Sequence, residues 1–212
     1  KPPVSFFAYP NRPSELSPEG AIITRLADER VDAEDTLRRL ADRLSAPDQP
    51  IHLQASKELP IVEDRPLDQT SLGIITAQLL PENAIVSDEG VSSGGQVYRY
   101  SAGAPKHDWM TITGGAIGQG LPLATGAAIA CPDRKVIALQ ADGSAMYTVQ
   151  ALWTQARENL NITNIIFSNR SYEILKIELD RVQAVETGER AASMFSMDNP
   201  PIDWVNLAES MG

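Results

Sequence analysis

The chain has 212 residues, of which 42% are hydrophobic and 22% charged, a globular composition that excludes disordered and fibrous proteins. Its 28 acidic residues outnumber 18 Lys and Arg, and no basic run offers a surface for a phosphate backbone, so nucleic acid is not an expected partner. The longest apolar stretch, residues 121–131, is interrupted and too short for a bilayer span. Cys131 is the only cysteine and is expected to be a small buried residue. This usage fits a reducing compartment, and we expect a cytoplasmic protein without a membrane partner.

The first part of the chain contains two short apolar runs, residues 4–8 and 21–24, which each predict a buried strand. Apolar residues at helical spacing predict a helix over residues 33–44. The Pro-rich stretch that follows has little periodicity and predicts a linker. The chain has no initiator Met and stops within an expected element, which indicates an excised fragment. We therefore expect the tail of a preceding domain over residues 1–50 and a linker over residues 51–66. Residues 67–212 are expected to form the main domain, which is incomplete at its C-terminus.

From residue 67 onward, helical and strand patterns alternate. Short apolar runs predict strands over residues 84–87, 109–112, 135–140 and 163–167. Helices are predicted over residues 70–80, after a cap at Asp68 and before Pro81, and over about residues 93–100, 118–130 and 147–159, and from about 172 onward. This alternation predicts an α/β fold, a mostly parallel sheet with helices on both faces.

Polar and glycine-rich segments follow the predicted strands, at residues 88–92, 114–118, 141–144 and 168–171. In open parallel sheets, ligands bind beyond the carboxyl ends of the strands. The carboxylate of Asp142 and the amide oxygen of Asn169 together suit Mg2+. No phosphate-loop lysine motif occurs, so a bound diphosphate would be balanced by metal and backbone N–H groups.

Each of these features also has a simpler interpretation. Asp142-Gly143 alone is typical of a turn, and an Asn after a strand is often a turn former. The glycine run could belong to a dinucleotide fingerprint, but Leu123 occupies the last glycine position of G-x-G-x-x-G. Asp88-Glu89 could be catalytic or could cap the next helix. His52 and His107 have no partner in the sequence pattern and are interpreted as structural. The tryptophans at positions 109, 153 and 204 are interpreted as core residues.

The segment Asp142-Gly143-Ser144, followed 27 positions after Asp142 by Asn169, resembles the thiamine diphosphate-binding motif. The stretch from residues 113–122 through residues 151–153 is similar to the diphosphate-binding domain of the acetolactate synthase large subunit and benzoylformate decarboxylase branch of thiamine diphosphate-dependent enzymes. The resemblance covers the chain from about residue 67, and residues 1–45 look like the tail of the family's middle α/β domain. Ala141 and Ser168 depart from the family pattern, which has Gly and Asn there.

The resemblance implies two cofactors, thiamine diphosphate and Mg2+. It implies that Mg2+ is held by the Asp142 carboxylate, the Asn169 side-chain oxygen and the Ser171 backbone carbonyl. It further implies that the carbonyl of Gly115 receives the aminopyrimidine and that Ile117 supports the bent cofactor from below. The remaining implied cofactor-binding positions are Val91, Ser92, Ala116, Ala141, Gly143, Ser144 and Tyr172.

The resemblance also implies a function. A 2-keto acid carboligase of the acetolactate synthase type is favoured, with a benzoylformate-type decarboxylase and a noncatalytic nucleotide-binding module as alternatives. No catalytic residue is assigned in this chain, because the family's activating glutamate comes from a pyrimidine-binding domain, normally of a partner subunit. We therefore expect a homodimer or homotetramer with the active site at an interface, and a fragment that is inactive alone.

Overall fold

The computed structural model describes residues 3–5, 8–52, 58–62, 64, 66–184 and 188–212. The chain divides into two compact units, residues 1–54 and 55–212. The second unit carries every predicted site residue.

The described part of the first unit contains one helix, α1 (Ala33–Arg43). The Asp32 carboxylate begins α1 by accepting the Asp35 N–H at 3.0 Å, in the N-cap position that favours a short acceptor side chain. The helix predicted over residues 33–44 is therefore confirmed.

The two strands predicted in this unit are not formed as expected. Residues 21–24 contain no strand, and Ile22 is 94% exposed, so that prediction is wrong. In residues 4–8, Val4 forms only an isolated antiparallel bridge with Glu15 and is exposed, while residues 6 and 7 lie outside the described residues. A short apolar run becomes a buried strand only where another layer covers it, and the described part of this unit supplies no such layer.

The second unit is built on a four-stranded parallel sheet in the order β2-β1-β3-β4. The strands are β1 (Ala84–Glu89), β2 (His107–Thr111), β3 (Val136–Ala141) and β4 (Ile162–Phe167). All four coincide with predicted strands to within a few residues, and the predicted parallel α/β fold is confirmed.

The helices of this unit alternate with the strands. They are α2 (Gln69–Leu79), α3 (Gly95–Ser101), α4 (Gly120–Ala130), α5 (Asp142–Ala145), α6 (Ala151–Arg157), α7 (Glu173–Arg181), α8 (Glu189–Ser193) and α9 (Trp204–Met211). The helix predicted over residues 147–159 begins later, at Ala151, and the short helix α5 precedes it as a separate element. Asp68 caps α2, and Pro81 follows its end, as the sequence indicates.

Two apolar clusters cover the two faces of the sheet. On one face, Ile85, Val136 and Ala138 pack with Leu121 and Ala124 of α4. On the other face, the core residues are Leu80, Ala84, Val86, Val97, Ile137 and Leu139. Successive residues of β1 and β3 therefore point to opposite faces, and each face is covered by helices.

The tryptophans and Cys131 do not all lie where the sequence suggested. Trp109 and Trp204 pack against the two clusters, but Trp153 is 49% exposed, and its interpretation as a core residue is wrong. The Arg157 guanidinium lies 5.3 Å from the Trp153 ring centre, a cation–π contact that partly covers the ring. Cys131 is only half-buried, beside the α4 cluster. Among the described residues, no helix is long and apolar enough to cross a membrane.

The strand order places the direction change of the sheet between β1 and β3. The chain passes outward from β1 to β2, then returns through α4 to β3 on the other side of β1. A crevice forms beyond the carboxyl ends of strands at such a point, and ligands bind there in open α/β sheets.

Candidate functional site

A cleft at the carboxyl ends of β1 and β3 collects most of the predicted site residues. It is lined by Val91, Ser92, Ile117, Ala141, Gly143, Ser144, Asn169, Ser171, Tyr172, Glu173 and Ile174. Of these, only Glu173 and Ile174 were not predicted, although both directly follow Tyr172. Parallel strand pairing brings the turns together because the strands end at the same edge of the sheet.

Three predicted residues do not line the cleft. Gly115 and Ala116 precede Ile117 in the same turn, and the Gly115 carbonyl accepts the Ile117 N–H at 3.0 Å. Asp142 is 2% exposed and directly precedes Gly143, which does line the cleft.

Asp142 is a buried carboxylate held by backbone groups. Its Oδ1 accepts the Gly143 N–H at 2.9 Å, and its Oδ2 accepts the Arg170 N–H at 2.7 Å. Within the described ranges, no Lys, Arg or His side chain forms an ion pair with it; the Arg170 guanidinium pairs with Asp198 instead. A buried carboxylate without a cationic partner is costly, so the arrangement suits a bound cation.

The loop after β4 carries the other two predicted metal ligands. The Asn169 side-chain oxygen accepts the Ser171 N–H at 2.9 Å, and the residue between them, Arg170, has a left-handed φ of 55°. The Tyr172 N–H donates to the Phe195 carbonyl at 2.9 Å, which ties the loop to the segment before α9. The Arg170 bond to Asp142 thus connects the Asp142 turn with the loop containing Asn169 and Ser171.

The turn after β1 has an unusual backbone conformation at Val91. Val91 has a φ of 46°, an unusual conformation for a β-branched residue and typical of constrained functional turns. The Asp88 carboxylate accepts the Gly90 N–H at 2.9 Å. Burial raises the pKa of the Asp88 carboxyl, against the opposing effects of the Gly90 N–H and the Trp109 indole.

The turn before α4 holds Ile117 at the cleft. Gly114, Gly115 and Gly118 have φ values of 63°, 68° and 94°, which glycine adopts without steric cost. Ile117 is 39% exposed and lines the cleft, so it is not a buried core residue.

Glu89 connects the strand-end turns. Its carboxylate accepts the Gly118 N–H through Oε1, and the Gly120 N–H at 2.5 Å and the Gln140 amide at 2.9 Å through Oε2. Glu89 therefore caps the start of α4, not the next helix α3 as the sequence suggested, because α4 packs against β1. His107 Nδ1 lies 2.7 Å from the Pro105 carbonyl oxygen, and His52 is exposed outside the regular elements; neither lines the cleft.

The donor atoms of the three predicted metal ligands fit Mg2+ better than a transition metal. The described part of the chain contains no group of three or more His, Cys, Asp or Glu residues that could hold a metal. The available set of one carboxylate, one amide oxygen and one backbone carbonyl is composed of oxygen, which Mg2+ prefers, and leaves positions for phosphate and water.

Residues 91–212 match the family model described as "Thiamine pyrophosphate enzyme, C-terminal TPP binding domain". This match covers more than half of the chain and includes the whole cleft. The chain therefore belongs to the thiamine pyrophosphate enzyme family.

Two curated relatives are similar to this chain over part of their own length. The chain is 47% identical over 213 residues to the "Putative acetolactate synthase large subunit IlvX" of Mycobacterium tuberculosis H37Rv, covering 99% of this chain and 40% of that protein. It is 33% identical over 135 residues to an alpha-keto-acid decarboxylase of Mycobacterium avium, covering 61% of this chain and 22% of that protein. The chain thus spans less than half the length of these relatives.

Solved structures show the same fold. A thiamine diphosphate-dependent 4-hydroxybenzoylformate decarboxylase of Rhodococcus jostii RHA1 superposes with a TM-score of 0.65 at 30% identity, over 84% of this chain and 33% of that one. A "putative thiamin diphosphate-dependent enzyme" of Mycobacterium smegmatis gives a TM-score of 0.69 at 23% identity, over 99% of this chain and 41% of that one.

Proposed function

We propose that the cleft between the β1 and β3 turns binds thiamine diphosphate with Mg2+, in an enzyme that converts 2-keto acids. The observation that carries this proposal is the composition of the cleft: all of its lining residues except Glu173 and Ile174 are positions assigned to the cofactor from sequence. These positions come from four separate turns, which the parallel sheet places at one edge.

Asp142, Asn169 and the Ser171 carbonyl would hold the metal. Asp142 supplies the only negative charge of this set, and the Asp142–Arg170 hydrogen bond keeps its turn beside the Asn169–Ser171 loop. Backbone N–H groups near Val91, Ser92 and Ser144 would contact the diphosphate, with Gly143, Ala141 and Tyr172 shaping the surface around it.

The turn at Gly115, Ala116 and Ile117 would orient the other half of the cofactor. When bound, thiamine diphosphate supplies the carbon nucleophile and the electron sink for 2-keto acid chemistry. This chain's residues bind and orient that group. The activating glutamate is expected from a pyrimidine-binding domain of a partner subunit, so we propose a homodimer or homotetramer with an interfacial site, and an inactive chain in isolation.

A carboligase of the acetolactate synthase type is the favoured reaction, because the relative named as an acetolactate synthase large subunit matches 99% of this chain at 47% identity. A benzoylformate-type decarboxylase is the second candidate, supported by the 4-hydroxybenzoylformate decarboxylase structure at 30% identity. We also propose a cytoplasmic location, and residues 1–50, 51–66 and 67–212 as middle-domain tail, linker and cofactor domain.

Isothermal titration calorimetry of the chain tests cofactor binding directly. Thiamine diphosphate should bind in the presence of Mg2+ and lose affinity when EDTA removes the metal, whereas ADP and NAD should give weaker or no binding under the same conditions. Tighter binding of ADP or NAD than of thiamine diphosphate would instead support a noncatalytic nucleotide-binding module.

A further inference from the structure

We infer that Glu89 is a positioning residue for the cofactor cleft, whose buried carboxylate fixes the Ile117 turn relative to the β3 turn. Here the Ile117 turn means residues 113–120. The inference rests on the proposed binding of thiamine diphosphate, because it concerns the part of the cofactor that this turn would contact.

The first observation is the burial of Glu89. It is 1% exposed and forms no ion pair with any residue that the structure describes. Burying a carboxylate without a countercharge costs desolvation free energy, and this carboxylate is stabilised here by donated hydrogen bonds alone. An apolar residue would fill the space at lower cost, so the acceptor oxygens themselves are the property that this position requires.

The second observation is which groups donate to it. The two carboxylate oxygens accept different N–H groups of the Ile117 turn, from Gly118 and Gly120. These residues flank the turn's entry into α4. Since Ile117 adjoins Gly118, the carboxylate determines where the Ile117 side chain meets the cleft.

The third observation is the connection to the β3 turn. Gln140 is the register partner of Glu89 across β1 and β3, and its amide donates to Glu89 Oε2 and to Ser144 Oγ, both at 2.9 Å. Ser144 Oγ donates to the Ala141 carbonyl at 3.1 Å. Glu89 and Gln140 thus link the turn under the cofactor's ring portion to the turn beside its diphosphate.

A glutamine at position 89 distinguishes this role from simple core filling. Glu89→Gln preserves the size of the side chain but leaves one acceptor oxygen, so an NH2 group faces one of the two turn N–H groups. The turn should then shift or loosen, while Asp142, Asn169 and the β1 turn keep their contacts. The ring portion of the cofactor should lose affinity, and the diphosphate portion should not.

The matched control is Ser87→Ala. Ser87 Oγ is buried and donates to the Gly120 carbonyl at 2.9 Å, so its loss also weakens the start of α4. It does not touch the N–H groups of Gly118 and Gly120. Any effect that comes merely from destabilising α4 should therefore appear in both variants.

Calorimetric titration of the full chain with thiamine diphosphate and with inorganic pyrophosphate, both with Mg2+, measures the two portions separately. Glu89→Gln should lower the affinity for thiamine diphosphate about tenfold and the affinity for pyrophosphate less than about twofold. The displaced Ile117 turn would lose only its own contacts, which are with the ring portion of the cofactor. Ser87→Ala should leave both affinities within about twofold of the parent. Amide exchange at Gly118 and Gly120 in the ligand-free protein should accelerate in Glu89→Gln and not in Ser87→Ala.

Equal losses for the two ligands, or unchanged affinity for both, would overturn the inference. Failure of the parent chain to bind either ligand would instead refute the proposed cofactor site, and this inference with it. If Glu89→Gln does not fold, Gln140→Leu serves in its place, because it removes one of the carboxylate's donors and also the unpartnered Gln140 Oε1. Gln140→Leu should lower the affinity for thiamine diphosphate relative to pyrophosphate in the same direction, and an unchanged ratio would also overturn the inference.

Discussion

The backbone N–H of Arg170 donates a 2.7 Å hydrogen bond to the carboxylate of Asp142, 28 positions earlier in the chain. This bond places the turn after β3 against the loop after β4, so that Asp142 lies beside the loop that carries the other two proposed metal ligands, Asn169 and Ser171. The Arg170 guanidinium pairs with Asp198 instead, and among the residues that the structure describes no cationic side chain pairs with the Asp142 carboxylate.

Replacing Asp142 with alanine should remove the only charged ligand of the proposed metal. We expect Mg2+-dependent affinity for thiamine diphosphate to fall by about 3 kcal/mol or more, roughly a hundredfold in Kd. Asn169→Ala should lower the same affinity less, by about tenfold, because a neutral amide contributes less to charge balance. Calorimetric titration measures both, with Asp108→Asn at the amino-terminal edge of the sheet as the control. Retained Mg2+-dependent binding by Asp142→Ala would contradict the metal assignment.

Ile117→Ala should separate anchoring from orientation. The affinity for pyrophosphate with Mg2+ should stay within about twofold, because the proposed diphosphate contacts lie on other turns. Proton exchange at the cofactor's reactive carbon should slow about tenfold to a hundredfold in an assembled enzyme that contains the pyrimidine-binding domain. Ile129→Ala, an equal truncation at an exposed position of α4, is the control. A lowered melting temperature with unchanged exchange would favour a packing role for Ile117.

Gly143→Ala should distort the cleft. An added Cβ at position 143 would lie 2.7 Å from Tyr172 Cε1 and 2.9 Å from its Cδ1, so the ring must move. We expect a loss of about 1–3 kcal/mol in unfolding free energy. The affinity for thiamine diphosphate should fall as well, because both residues line the cleft.

Gly126→Ala is the contrasting substitution to Gly143→Ala. Gly126 lies exposed within α4, and an added Cβ would meet nothing within 4 Å. Alanine there should raise the unfolding free energy by about 0.5–1 kcal/mol through helix propensity and leave binding unchanged. Chemical denaturation compares the two variants, and equal stability of Gly143→Ala and the parent would contradict the predicted clash.

Asp88→Asn should change how stability depends on pH. Burial raises the pKa of Asp88 in the folded state, so the folded protein binds this proton more strongly than the unfolded chain does. The free energy of unfolding therefore falls as pH rises from the pKa of this carboxyl in the unfolded chain to its higher pKa in the folded protein. Above the folded-state pKa the loss of stability is complete. Relative to the parent, Asp88→Asn should gain stability at neutral pH and gain less in acid, while its amide oxygen can still accept the Gly90 N–H. Denaturant titrations of both proteins at several pH values measure the difference, and a gain over the parent that is no larger at pH 7 than in acid would contradict the prediction.

Much of the second unit could be predicted from sequence. Its strands are short apolar runs bounded by Gly, Pro and Asp, and two of its helices, α2 and α9, begin at the capping residues Asp68 and Asp203, so local patterns predict much of the order of elements. The first unit was predicted less well. The apolar run at residues 21–24 has a strand-like pattern, but burial depends on a covering layer that the pattern does not specify.

The sequence by itself determined which residues follow the strands, because Asp142, Asn169 and the glycines around Ile117 are set by local spacing within strand–helix units. Only the tertiary structure decided which of those turns meet, through the strand order β2-β1-β3-β4. That order puts Glu89 between the turns after β2 and β3, far from them in sequence but beside Gln140 in register. Contacts between parallel strands join residues tens of positions apart, and local propensity carries no information about such pairings. Which strands become neighbours depends on the direction in which each crossover returns to the sheet.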